Sequence, residues 1–195
     1  MKYDLYDFDL TAFPYDCETV FLFETMLTHP WLFFLIPYQL VCITLYFLGF
    51  GGKYKGKCFI FLKFVDGEKL VKKFWKRHEK LIYPLFYKEN RNFPSVVCSA
   101  SPEFLITPIC KKHGIDVVIA TRMDIRNGRI IGKNCKDKEK IKRIKEKLPD
   151  AVFRNVYSDD LKSDIHIFRL GEKCFKAKRG TLTEMTLEEI ENAIK

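Results

Sequence analysis

The sequence predicts an α/β protein: a mostly parallel sheet with helices on both faces, and a large helical insertion after the first strand. Three observations predict it. Apolar strand-like runs alternate with helical stretches from residue 94 onward, the pattern of parallel strands joined by crossover helices. A long, aromatic-rich helical stretch separates those runs from a first strand at residues 2–8. Acids and hydroxyls follow the carboxyl ends of several runs, where an open parallel sheet carries its ligand site.

Each element has its own signal. Residues 2–8 alternate in the manner of a strand and lead into Asp7 and Asp9. Residues 17–28 form an apolar helix that His29-Pro30 ends. Residues 31–52, WLFFLIPYQLVCITLYFLGFGG, carry no charge. A basic, aromatic helical region spans Gly67 to Lys88, with a break at Pro84. PSVVCSASP (94–102) is a buried strand and a turn. A helix follows to His113, with Pro102 in its first turn and Gly114 beyond its end. DVVIAT (116–121) is a second buried strand, and Asn127-Gly128 centres a small hairpin over 125–131. Residues 137–148 are a charged helix, 151–158 a strand running into Asp159-Asp160, and 173–178 a last short strand. Thr186 and Glu189 have the spacing of a capping box opening a terminal helix.

An apolar share of 47% and 18 Phe exclude a disordered chain. The formal charge of +9 favours anionic partners. Seven Cys, at 17, 42, 58, 98, 110, 135 and 174, include no CxxC pair and read as reduced, buried thiols of a cytosolic protein. The acidic start MKYDLYDFD argues against a secretion signal. The four His have no metal-ligand spacing.

Carboxylates gathered at one sheet edge repel unless a cation joins them. Hard oxygen donors of this kind suit Mg²⁺, which keeps several waters and shares its shell with substrate phosphate. The helix opening at Pro102 offers free N–H groups and a positive dipole end to a phosphate, and Ser99 adds a hydroxyl. One Asp can take a phosphoryl group as nucleophile, and an acid two residues on can protonate the leaving oxygen. A nearby Lys would neutralise charge as transfer proceeds.

The ordered set Asp-Phe-Asp-Leu-Thr (7–11), Ser-Ala-Ser-Pro (99–102), a Lys within 133–140 and Ser-Asp-Asp-Leu-Lys-Ser-Asp (158–164) resembles the four motifs of the haloacid dehalogenase (HAD) superfamily. The insertion matches the cap position of its phosphoserine-phosphatase-like branch. The stretches Asn-Cys-x-x-x-Glu-Lys (134–140) and Lys-Arg-Gly-Thr-Leu (178–182) are similar to the phosphatidylglycerophosphatase C group. The resemblance implies a HAD-like Rossmannoid core at 1–13 and 93–195, with a helical cap at 14–92. It makes Asp7 nucleophile and Mg²⁺ ligand, and Asp9 general acid/base with its backbone carbonyl on the metal. Thr11 supports the turn. Ser99, with the N–H groups of Ala100 and Ser101, binds phosphate. Lys140 is the favoured lysine over Lys133, Lys136 and Lys138. Asp159 and Asp164 hold the metal or its waters, with Asp160 competing with Asp159. Leu10 and Ser158 stand where the family commonly has Gly. The implied substrate is a phosphomonoester, a phospholipid foremost and a soluble metabolite such as phosphoserine as the alternative. A non-catalytic module recruited to anionic lipid or nucleic acid is a third reading, disfavoured by the full acid set; no nucleic-acid partner is expected.

Residues 31–52 are long enough to cross a bilayer, which takes ~20 residues. Asp7 and Ser99 must nevertheless meet in one site, so the chain crosses an even number of times or not at all. Either 19–50 dips into one leaflet as a helical hairpin anchored by Lys53, Lys55 and Lys57, or it forms the apolar core of a cap in water. We favour the first, at the cytoplasmic face of an anionic membrane.

Overall fold

The first strand, β1 (Lys2–Tyr6), occupies the middle of the sheet and ends before the acids begin. It pairs in parallel with β2 (Ser95–Pro102) on one side and β4 (Val152–Ser158) on the other. In the computed structural model, which describes residues 1–195, β3 (Val117–Thr121) extends the sheet beyond β2. Next to β4 comes β5 (Gly171–Lys178), then β6 (Thr181–Met185). The order is β3-β2-β1-β4-β5-β6, with only β6 antiparallel. The order in which strands are added reverses at β1, and this opens a crevice at the carboxyl ends of β1, β2 and β4, where Asp7, Ser99 and Asp159 lie.

Side-chain alternation divides the core. Leu5, Val96, Cys98 and Val156 face one layer with Ile144 of α6 (Lys138–Lys147), Ile165 of α7 (Ile165–Phe168) and Ile190 of α8 (Leu187–Ala193). Tyr6 and Val97 face the other, with Leu105, Ile106 and Ile109 of α5 (Glu103–Lys112). The capping box at Thr186 and Glu189 is present. All seven cysteines are free and buried.

Between β1 and β2 lie α1 (Cys17–Thr28), a 3-10 turn (Pro30–Leu35), α2 (Ile36–Phe47), α3 (Lys53–Lys57) and α4 (Gly67–His78). Their inward apolar residues, among them Phe21, Leu32 and Phe74, merge with the α5 side of the core. Trp75 is buried there and donates its indole N–H to the Leu105 carbonyl at 2.6 Å. Asp16 and Asp66 cap α1 and α4 by accepting the N–H groups of Thr19 and Lys69.

Three expectations need correction. The helical region expected over 67–88, with its break at Pro84, is α-helical only to His78 and continues as short 3-10 turns, with Tyr83 before Pro84 extended at ψ 146. The hairpin expected over 125–131 is reduced to a bridge between Met123 and Ile130, since Asp124 spends its carboxylate on Arg126 and Asn127 within the loop. An additional strand, β6, follows a two-residue link in which Arg179 (φ 51) and Gly180 (φ 79) both take left-handed backbone. Of Pro30–Phe47 only 22% is buried, through Leu32, Leu35, Gln39 and Cys42. Gln39 nevertheless fastens α2 to the cap through the Cys58 carbonyl at 2.8 Å.

The cap seats on the core where α3 meets the 124–130 loop. A Cβ on Gly56 would stand 2.7 Å from the Gly128 carbonyl oxygen. Helix propensity alone favours Ala over Gly by about 1 kcal/mol. Gly56→Ala is therefore expected to destabilise the protein, by about 1–3 kcal/mol in urea unfolding, despite that preference.

Candidate active site

Asp7 leaves the end of β1 with its N–H donated to the Tyr157 carbonyl at 2.8 Å, which fixes the backbone between two central strands. Its buried carboxylate accepts from Lys140 Nζ at 2.8 Å. The same ammonium reaches both oxygens of Asp164, at 2.7 and 3.0 Å. Ser158 donates its hydroxyl to Asp164 at 2.6 Å. Burial pushes the Asp7 carboxyl well above the ordinary carboxylate range, Lys140 opposes this and Asp164 adds to it. Burial would lower Lys140, but Asp7 and Asp164 overcome it and hold the ammonium charged. Lys133, Lys136 and Lys138 are exposed, so Lys140 is the lysine that enters the acidic edge.

Asp9 has different surroundings. It accepts the Cys17 N–H at 2.8 Å on one oxygen and the Ser101 hydroxyl on the other. Burial first, then Asp16, raise its carboxyl above the ordinary value. Two acids separated by one residue thus have separate partners: an ammonium for Asp7, neutral donors for Asp9. Thr11 reaches across to the next loop rather than only supporting its own. Its hydroxyl oxygen accepts the Asp159 N–H at 2.9 Å.

The expected phosphate loop is placed at this edge with one change. The Ser101 N–H is already donated to Ser99 Oγ at 3.0 Å, so it is not free for phosphate. Ser99 keeps its hydroxyl hydrogen, and no side chain caps the start of α5. The Ala100 carbonyl faces Lys55 and Thr121, at 3.1 and 2.7 Å.

The acids expected on a metal also divide. Asp160 is exposed and accepts the N–H groups of Lys162 and Ser163, closing its own loop. Asp164 has both oxygens engaged by Lys140 and Ser158, and so positions Lys140. Asp9 has both oxygens engaged as well. Asp7 and Asp159 each keep one carboxylate oxygen without a hydrogen-bond partner, the other oxygen of Asp159 accepting from the Thr11 hydroxyl at 3.3 Å. Burial raises Asp159 to about 6, with repulsion from Asp160 and Asp164 adding to the rise, and no cation pairs with it. No three metal-binding side chains form a closed cluster. Two carboxylates at a crevice short of positive charge fit Mg²⁺, which binds through one or two carboxylates and keeps its waters.

The model of the haloacid dehalogenase-like hydrolases matches residues 5–169, which spans every group just described. The chain belongs to this family. Among curated proteins it is 32% identical over 91 residues to Protein CicA of Caulobacter vibrioides, known from two strains. That stretch is 44% of this chain and 41% of CicA. Among solved structures it is similar to a Bordetella pertussis protein described as of unknown function, with TM-score 0.62, 17% identity, and coverage of 81% of this chain and 82% of that one. It is also similar to a phosphoserine phosphohydrolase-like protein of Francisella tularensis, with TM-score 0.57, 14% identity, and coverage of 100% and 94%. Both likenesses show the fold.

One position departs from the pattern that the resemblance implies. Leu10, where Gly is common, has φ 59, a backbone that an L side chain adopts at a cost of about 1–2 kcal/mol. Its side chain is exposed beside the acids. Sequence reasoning missed a second feature. Lys55, expected among membrane anchors, is buried: it forms an ion pair with Glu18 at 2.8 Å and touches the Ala100 carbonyl. Its only sequence signal was its place between Lys53 and Lys57, which concealed it. The second oxygen of Glu18 is buried without a partner. Burial raises Glu18 to about 7 against the pull of Lys55.

A carboxyl raised in the folded state binds its proton more tightly there, so stability falls as pH rises from the unfolded value toward the folded one. Between pH ~4.5 and ~7, Glu18 is expected to remove up to about 3 kcal/mol. Urea unfolding in EDTA across this window is expected to show a decline to which Asp159 also contributes, and Glu18→Gln to make it shallower without abolishing it.

Proposed function

We propose that this HAD-family hydrolase is a Mg²⁺-dependent phosphomonoesterase acting through Asp7 on a membrane phosphomonoester with an apolar tail, of the phosphatidylglycerophosphate kind. The observation that carries the phosphatase reading is the unlike environment of the two neighbouring acids. Asp7, beside Lys140, attacks phosphorus and becomes an acyl phosphate. Asp9, a raised carboxyl held by Ser101 and Cys17, gives its proton to the departing alcohol oxygen. The same carboxylate then takes a proton from the water that attacks the acyl phosphate, the phosphorus–Asp7 bond breaks and inorganic phosphate leaves. Lys140 neutralises charge throughout, and Asp164 with Ser158 aims it. Ser99 and the uncapped start of α5 bind phosphoryl oxygens. Mg²⁺ held by Asp7, Asp159 and the Asp9 carbonyl would supply further charge compensation to those oxygens.

The lipid part of the reading is supported by the largely unburied Pro30–Phe47 segment and by exposed Leu10 next to the acids. Such an arrangement suits a protein working at the cytoplasmic surface of an anionic membrane. A soluble metabolite phosphatase has no use for so much exposed apolar surface.

Phosphate release is expected from phosphatidylglycerophosphate in mixed micelles, to require Mg²⁺, and to exceed release from phosphoserine. Asp7→Asn should lower kcat by roughly 10³-fold or more, and Asp9→Asn by roughly 10²–10⁴-fold. An Asp7→Asn protein as active as wild type overturns the mechanism. Faster turnover of phosphoserine overturns the lipid assignment alone.

A further inference from the structure

The lysines of α3 face two ways. Lys55 enters the active-site edge, while Lys53 and Lys57 turn outward. They line an open pocket of ≈ 470 Å³ at the seam between cap and core, together with Lys63, Arg129, Tyr38 and Asn127. None of the catalytic acids lines this pocket, and neither does any other acid. None of its four cations forms an ion pair; Lys53 and Lys57 instead lie 5.3 and 4.8 Å from the centre of the Tyr54 ring. Asp124, in the same loop as Asn127 and Arg129, accepts from the Asn127 side chain and the Arg126 N–H. Four unneutralised cations around one concavity repel one another, and an anion relieves that repulsion.

Apolar surface borders the pocket. Lys63 is followed by Phe64, which is 48% exposed and packs edge-on to Trp31 and Phe34, with ring centroids 6.2 and 6.0 Å away. Those two rings are 51% and 61% exposed. Tyr38 links the pocket to α2, whose Leu40, Val41 and Phe47 are exposed as well. Aromatic rings beside unpaired lysines and arginine match the two layers of a bilayer surface: the acyl boundary and the anionic headgroups.

We propose that this seam is a non-catalytic docking site for an anionic phospholipid bilayer, with a lipid phosphate in the Lys53–Lys57–Lys63–Arg129 pocket and Trp31, Phe34 and Phe64 in the acyl boundary. The inference shares the membrane setting of the function proposed above but does not depend on catalysis or on the substrate. The pocket is built from both cap and core, since Arg129 and Asn127 belong to the loop on which Gly56 of α3 is seated. A headgroup bound there braces the helix whose Lys55 touches the phosphate loop.

The test is co-sedimentation of the full chain with vesicles of phosphatidylcholine alone and of phosphatidylcholine with phosphatidylglycerol. Both lipids are phosphodiesters, so no turnover intervenes. Binding is expected to be at least ~10-fold tighter to the anionic vesicles, with a blue shift of tryptophan emission that Trp31→Phe abolishes. A basic residue at such a surface contributes about fivefold. Lys57→Glu/Lys63→Glu/Arg129→Glu should therefore weaken binding by at least ~100-fold, while hydrolysis of a soluble aryl phosphate stays unchanged. The milder Lys57→Gln/Arg129→Gln, expected to weaken binding by ~10-fold or more, serves if the triple variant misfolds. Equal binding to both vesicle types, or wild-type binding by the charge variants, overturns the proposal. So does protection of the pocket by inorganic phosphate without vesicle binding, which would mark a free-phosphate site. None of these outcomes bears on phosphate release by Asp7.

Discussion

The ammonium of Lys140 is the constraint on which the rest of the structure depends. It stands between Asp7 and Asp164 at 2.8 and 2.7 Å and is itself buried. Without it two carboxylates would lie uncompensated beneath the sheet edge, where desolvation alone makes each charge expensive. The long reach from α6 to β1 therefore draws together segments from opposite ends of the chain. Ser158 and Asp164 fix the lysine from the β4 side, and Thr11 ties the Asp159 loop to the turn after β1. The sheet supplies the frame; this ion triad keeps its edge closed.

Charge is arranged in graded fashion around that edge. Asp7 meets an ammonium, Asp9 meets neutral donors, and Asp159 meets no cation. One sheet edge thereby holds three carboxyls in three unlike electrostatic settings, the condition under which acids take different chemical tasks. The cap adds a second buried ion pair, Lys55 with Glu18, which rests on the Ala100 carbonyl. The close seating of Gly56 on Gly128 brings α3 near enough for this contact.

Much of the fold was legible because its signals are local or periodic. The buried strands 94–102, 116–121 and 151–158 lie in the sheet as continuous apolar runs do, and the acids emerge from their ends. β6 was illegible because almost all its residues are exposed, so burial imposes no alternation; only the Arg179-Gly180 link marks it. Asp160 looked equal to Asp159 in sequence, and the difference is set by which carboxylate the loop's own N–H groups capture. Lys55 was misread for a related reason. A lysine's burial depends on a distant partner, and Glu18 lies two helices away. The segment 31–52 read correctly as apolar, but composition does not reveal which of its sides the core covers.

A double-mutant cycle on Lys140→Met and Asp164→Asn, read by urea unfolding in EDTA, tests the central claim most directly. If the lysine is what allows these acids to be buried, the two changes are strongly coupled. Lys140→Met alone should cost about 3–5 kcal/mol, and adding Asp164→Asn should restore part of that, giving a coupling of about 1.5–3 kcal/mol. Additive effects, with coupling below about 0.5 kcal/mol, would contradict the account.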